Sequence, residues 1–165
     1  MTVAGMSVAS IAVVTSALIV LGGLGALLTD TGQWYKALRK PWFQPPDFLF
    51  GPAWTLIFVC IGASAVIAWN SPAGSPKQKS ALVIALVANF LLNSVWSFLF
   101  FAKRRPDLAL IEVALFWISI VVLIAVVRPL SMLAAGLLAP YLAWVSFASV
   151  LNQRVVALNA PFSRS

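Results

Sequence analysis

The stretch "NFLLNSVW" sets Asn89, Asn93 and Trp96 at i, i+4 and i+7, so two amides and an indole share one helix face. An amide in an otherwise apolar helix needs a hydrogen-bond partner away from lipid. These residues serve either as glue between helices or as the polar end of an aromatic pocket. Further along, "PYLAWVSFASVLN" places Tyr141, Trp144, Ala148 and Leu151 on one stripe. A tryptophan followed one turn later by alanine is either an ordinary packing seam or a hollow beside a flat ring. Glu112 is the one acid well inside an apolar segment. It either pairs with the cations around "AKRRPD" or meets a ligand, because an intramembrane carboxylate needs a partner or a shifted pKa.

A third constellation lies in "QWYKALRKPWFQPPDFLFGPAW". Trp34 to Arg39 can form a short helix. "KPWFQPP" is then expected to run extended, since proline fixes its own φ and biases its predecessor away from the helix. A plain linker would carry Gly, Ser or charge rather than rings on a locked backbone. The rings form either an interfacial aromatic belt or the lid of a binding site.

Other chemistries are poorly supplied. There is no histidine, one cysteine (Cys60) and only four acids, Asp30, Asp47, Asp107 and Glu112. Disulfide frameworks, cysteine-rich metal centres and hydrolytic triads are excluded or starved of groups, and no metal or cofactor is expected. The net charge of +7 reads as basic flanks of membrane spans meeting anionic lipid rather than as a nucleic-acid surface.

The elements that must position these residues are membrane helices. The chain of 165 residues is 62% hydrophobic and 9% charged, far below the charge of a water-soluble domain. Five runs reach the roughly 20 residues that a span requires. They cover about 8–28, 48–69, 81–101, 108–127 and 130–151, with a tight hairpin expected at Arg128–Pro129. The first run is full span length without a basic leader region, so it is expected to be a span rather than a cleaved signal. The expected fold class is an all-α integral membrane protein, a bundle of five transmembrane helices with an ordered first loop, forming one domain over 1–165.

Basic residues choose an orientation. The N-terminus and the second and fourth loops hold Lys77, Lys79 and Arg128. The first and third loops and the tail hold Lys36, Arg39, Lys40, Lys103, Arg104, Arg105, Arg154 and Arg164. The positive-inside rule then sets the N-terminus outside and the C-terminus in the cytoplasm of, in all expectation, a bacterial cell. In the first span, Gly22 and Ala26 form a small-xxx-small pair that suits either packing within the bundle or a dimer seam.

"WYKALRKPWFQPP", "GPAW" at the start of the second span, "NFLLNSVWSFLFF" in the third and "PYLAWVSFASVLN" in the fifth, in that order, closely resemble the TspO/MBR family from about Gly22 to Asn152. The resemblance implies a five-helix bundle, commonly a homodimer, with a pocket under the first loop. Such a pocket takes porphyrins such as protoporphyrin IX, cholesterol, and isoquinoline carboxamide or benzodiazepine drugs. Carried over by motif, Tyr35, Trp54, Asn89, Asn93, Trp96, Trp144, Ala148 and Leu151 would line it. Trp54 and Trp144 match a pair implicated in light-dependent degradation of protoporphyrin by some bacterial members, the enzymatic alternative to a receptor or transporter-like binding protein. A flat ring with carboxylates at one edge suits tryptophan walls, with Arg39 and Lys40 at the rim. Two positions depart from the family pattern. The tail Asn152, Gln153, Arg154 lacks the tyrosine of the mitochondrial sterol motif, and Leu108 stands where mitochondrial members carry a pocket tryptophan.

Overall fold

Ser75 starts its helix with a reciprocal cap. Its Oγ accepts from the Gln78 N–H at 3.3 Å, its own N–H donates to Gln78 Oε1 at 2.9 Å, and Pro76 fills the first helical position. Local signals of this kind divide the chain. The computed structural model describes residues 2–3 and 6–162, so Arg164 lies outside the described residues.

Among the described residues two short antiparallel strands, Thr2–Val3 and Met6–Ser7, precede the helices α1 (Val8–Leu28), α2 (Gln33–Ala37), α3 (Phe50–Trp69), α4 (Pro76–Ser97), α5 (Pro106–Val127), α6 (Met132–Gly136) and α7 (Ala139–Asn159). Five stretches are long and apolar enough to cross a membrane: Val8–Leu28, Asp47–Trp69, Pro76–Ala102, Pro106–Val127 and Met132–Asn159.

The core faces follow helical spacing. In α5 the buried Ala109, Val113, Phe116, Ile120, Leu123 and Val127 form one stripe, while Ile111, Leu115, Ile118 and Val122 point outward. A helix apolar on both faces belongs in lipid. The α5 stripe packs between α4 and α7 and meets Ile57, Ile61, Leu82, Tyr141 and Val145 in the main core. By contrast α1 leans on α3 from outside and buries only Ser10 and Leu21. Hydroxyls and amides tie the helices where lipid offers no partner. Ser64 Oγ donates to the Ala134 carbonyl at 2.8 Å and Ser71 Oγ to that of Leu130 at 2.6 Å. Asn70 accepts from the Ser7 N–H at 3.0 Å and donates to Ser10 Oγ at 2.9 Å.

The expected spans differ from these at their ends. α4 begins five residues before 81 because the Ser75 cap carries the polar turn Lys77–Ser80 into the helix. Arg128 and Pro129 do turn the chain, but a hairpin does not lead straight into one helix. Ser131 Oγ caps the separate α6 through the Ala134 N–H at 3.2 Å, and Pro140 then opens α7. α7 runs eight residues past 151, since Asn152 is buried rather than leaving the bundle. In the amide orientation that satisfies both ends, Asn152 donates to the Pro106 carbonyl at 3.1 Å and accepts from the Leu110 N–H at 3.2 Å. After α4 one wide π turn, Phe98–Ala102, ends with the Lys103 N–H on the Phe98 carbonyl at 2.8 Å and Arg104 at φ 53°.

Candidate functional site

A cavity of about 470 Å³ opens between α1, α3, α4 and α7 beneath the first loop. Trp54 from α3, Trp96 from α4 and Trp144 from α7 supply flat walls, with Ala148 and Leu151 beside Trp144. Each ring is steadied by a second one. Trp96 stacks on Phe100 at 5.2 Å, Trp54 lies 5.5 Å from Phe58, and Trp144 meets Phe50 edge-on at 5.6 Å. Ala148 stands one turn beyond Trp144, and its small side chain leaves the hollow that the α7 stripe allowed. The indole N–H of Trp96 is buried without a protein partner among the described residues.

The first loop closes the top through a polar cluster. Tyr35 Oη donates to Asp47 Oδ1 at 3.1 Å, Gln44 Nε2 donates to the same oxygen at 3.0 Å, and Lys40 Nζ lies 3.2 Å from Asp47 Oδ2. The Lys40 ammonium also sits over the Tyr35 ring, 3.8 Å from its centre. Burial, and then the neighbouring Asp47 carboxylate, push the Tyr35 phenol up to about 12, so it stays a donor at neutral pH. The loop is not extended throughout. The Gln44 N–H reaches the Pro41 carbonyl at 3.0 Å, a turn that throws Trp42 out to 95% exposure. The belt and lid readings therefore divide by residue, with Trp42 and Phe48 facing outward and Tyr35, Gln44 and Asp47 facing the cavity. The root of the loop is held from far along the chain. Asn159 accepts from the Arg39 N–H at 2.8 Å and donates to the Arg39 carbonyl at 2.9 Å.

The expected residues separate in the same way. Tyr35, Lys40, Trp54, Asn93, Trp96, Trp144, Ala148 and Leu151 all reach the cavity. Asn89 does not line it. Its amide donates to Ser119 Oγ at 2.8 Å and accepts from Tyr141 Oη at 3.0 Å, so it acts as interhelical glue. Arg39 is exposed and off the cavity, held at its backbone. Gly22 and Ala26 line the α1 wall, where a Cβ on Gly22 would stand 3.9 Å from the Phe58 ring. Leu108 is 38% exposed and lies away from the cavity.

Glu112 is buried with neither carboxylate oxygen partnered among the described residues. Of its two readings, pairing with the third loop does not form among the described residues, because those cations are engaged elsewhere. Arg105 holds Asp107 at 2.6 Å, Arg104 lies 3.7 Å from Asp30, and Lys103 sits over Phe98.

Phe100 and Phe101 also line the cavity and were not anticipated. The π turn places them there by shifting the helix one residue out of step, which ordinary helical spacing does not reveal. Asp47 and Gln44 were equally unforeseen as lining groups; the pairing of Asp47 with Lys40 across "KPWFQPPD" was the available signal.

The family profile described as TspO/MBR family matches residues 11–158. The tryptophan-rich protein TspO of Archaeoglobus fulgidus is 36% identical over 146 residues, covering 87% of this chain and 93% of that one. The translocator protein of Bos taurus is 33% identical over 138 residues, 82% of each chain. Protein CrtK of Rhodobacter capsulatus is 30% identical over 155 residues, 93% of this chain and 95% of its own.

Proposed function

The chain belongs to the TspO/MBR family of multi-pass integral membrane proteins, and from that membership we propose that it binds porphyrins such as protoporphyrin IX, with related lipophiles, as a receptor or transporter-like protein. The observation that carries this reading is the cavity of about 470 Å³ walled by Trp54, Trp96 and Trp144. A flat tetrapyrrole stacks on such rings, and water leaves both surfaces as it does so. Its carboxylates meet the Lys40 ammonium at the rim. Sterols and drugs of the isoquinoline carboxamide or benzodiazepine type fit the apolar part of the same space.

Titrating the purified protein with protoporphyrin IX in darkness tests the reading. Saturable tryptophan quenching with a shifted porphyrin absorbance is expected, and a linear, unsaturable response refutes it. A second activity has its own supporting observation, since Trp54 and Trp144 line the same cavity. A photoexcited porphyrin held there with molecular oxygen as oxidant would have two oxidisable indoles within reach. Illuminating the complex and following loss of the porphyrin absorbance separates this enzyme reading from plain binding.

We also propose that the first loop faces the cytoplasm, following the excess of Lys and Arg in the first and third loops. Cysteines introduced at Ser75 and Lys103 should then label from opposite sides. Labelling from one side overturns the topology, and access of an impermeant reagent to the Lys103 site rather than the Ser75 site in intact cells overturns the orientation.

A further inference from the structure

Two residues of the cavity wall, Thr55 and Phe58, also line a separate groove on the outside of the bundle. The groove runs between α1 and α3, has a volume of about 580 Å³, and is aliphatic apart from Phe58, Thr15 and Thr55. Thr55 Oγ1 is already committed to the Gly51 carbonyl at 3.0 Å, which leaves the Thr15 hydroxyl as the polar side-chain group the groove offers. Both helices that frame it are membrane spans.

We propose that this groove is a second binding site, a membrane-facing vestibule for flat lipophiles dissolved in the bilayer, from which they pass between Thr55 and Phe58 into the cavity. The proposal rests on the porphyrin-binding reading of the cavity. Its occupant follows from the continuity of the two spaces, since whatever fills the groove touches the same two side chains as a guest of the cavity. It also follows from the chemistry of the walls, which only an apolar ring or chain complements.

The packing of α1 supplies the movement. One end of the helix is pinned to α3, where Asn70 holds both the Ser7 N–H and Ser10 Oγ. Near its middle, Leu18 packs so closely over Gly62 that a Cβ there would stand 2.6 Å from Leu18 Cδ1. Beyond that crossing α1 presents Gly22, Gly25 and Ala26 to the cavity, and Leu21 is its one buried residue in that half. Past the helix, Asp30 reaches Arg104 only through an exposed pair at 3.7 Å. A helix held at one end and sparsely packed at the other opens at the sparse end at least cost. That end carries Gly22 against the Phe58 ring. Splaying of α1, or rotation of Phe58 into the space that Gly22 leaves, joins groove to cavity without unseating the loop above.

Ala63 lines the groove and not the cavity, so Ala63→Trp sets a ring in the vestibule. The probe is protoporphyrin IX in phosphatidylcholine proteoliposomes in darkness, with association and release followed by stopped-flow quenching. Blocking a route slows passage in both directions, so association and release rates should fall together by about tenfold. Phe58→Ala widens the passage, and both rates should rise. If Ala63→Trp does not fold, Val59→Trp, at an exposed position that lines the groove and not the cavity, decides in its place, and both rates should again fall. Wild-type binding with rates unmoved in the folded variants overturns the vestibule and leaves the cavity reading standing. Absence of binding by the wild type overturns the cavity reading, and the vestibule with it.

Discussion

Replacing Trp144 by alanine removes one flat wall of the cavity without touching its polar rim. The indole is fixed by Phe50 at 5.6 Å and Phe147 at 5.9 Å, so it offers a ligand one pre-positioned face. An aromatic side chain buries roughly 150–250 Å² in all, and one face accounts for about 100 Å². At about 25 cal/mol per Å² the lost contact is worth about 2.5 kcal/mol, close to a 70-fold loss of affinity. Trp144→Phe keeps a ring against Phe50 and Phe147 and should cost less than about 1 kcal/mol. Titration of protoporphyrin IX against each variant in darkness, read by porphyrin absorbance because the substitution removes an indole, gives both numbers. Any light-dependent loss of porphyrin should behave differently. It requires an oxidisable indole, so Trp144→Phe should cut turnover far more than affinity. If Trp144→Ala leaves affinity within about twofold of wild type, a margin far below the burial estimate, the ligand does not stack there.

Asn89→Ala should destabilise the bundle by about 1–3 kcal/mol, because Tyr141 Oη loses its buried acceptor. Thermal unfolding in detergent should show this, while porphyrin affinity of the folded fraction stays near wild type; a large affinity loss would place Asn89 in the site. The Tyr35 phenol, raised by burial and Asp47 to about 12, favours the closed loop in its protonated form. That contribution is complete below pH about 10, the phenol's ordinary value, and fades as pH rises through about 12. Phenolate absorbance should show a late-titrating tyrosine that Tyr35→Phe abolishes, and a tyrosine of ordinary pKa at this position refutes the cluster. Gly22→Ile should fill the α1 wall and weaken porphyrin binding, because Gly22 lines the cavity. If cross-linking instead shows a dimer turned to monomer with binding intact, Gly22 faces a second copy.

The membrane spans were legible because both faces of each helix are apolar, and α1 begins and ends at the expected residues 8 and 28. The last helix was misjudged for a physical reason. Asn152 looks like an exit from lipid until its partners, the Pro106 carbonyl and the Leu110 N–H, are supplied by another helix. Asn89 and Asn93 were equivalent by spacing, and only the arrival of Ser119 and Tyr141 makes one a tie between helices while the other faces the cavity. Trp54, Trp96 and Trp144 were identifiable through the ordered motifs that resemble the TspO/MBR family, whereas spacing alone leaves the Trp144 stripe compatible with an ordinary packing seam. Phe100 and Phe101 were hidden by the π turn, whose extra residue breaks ordinary helical spacing before the left-handed Arg104 ends the helix. For Glu112, proximity along the chain left the third loop's cations and a ligand as alternatives, and Asp107, Asp30 and the Phe98 ring compete for those cations.

The pair of hydrogen bonds from Asn159 to the Arg39 backbone joins residues 120 positions apart. It therefore has a consequence for biosynthesis. A ribosome feeding this chain into the membrane releases the first loop long before it makes the residue that anchors it. Through most of synthesis every span but the last can insert while the lid has no foot. The cavity thus cannot take its finished shape as a nascent intermediate, and lipid has access to its tryptophan walls until the final turn of α7 emerges. A chain halted just short of Asn159 would keep nearly all its membrane-crossing length and lack this anchor, so synthesis of the last turn of α7 is the step that gives the lid its foot.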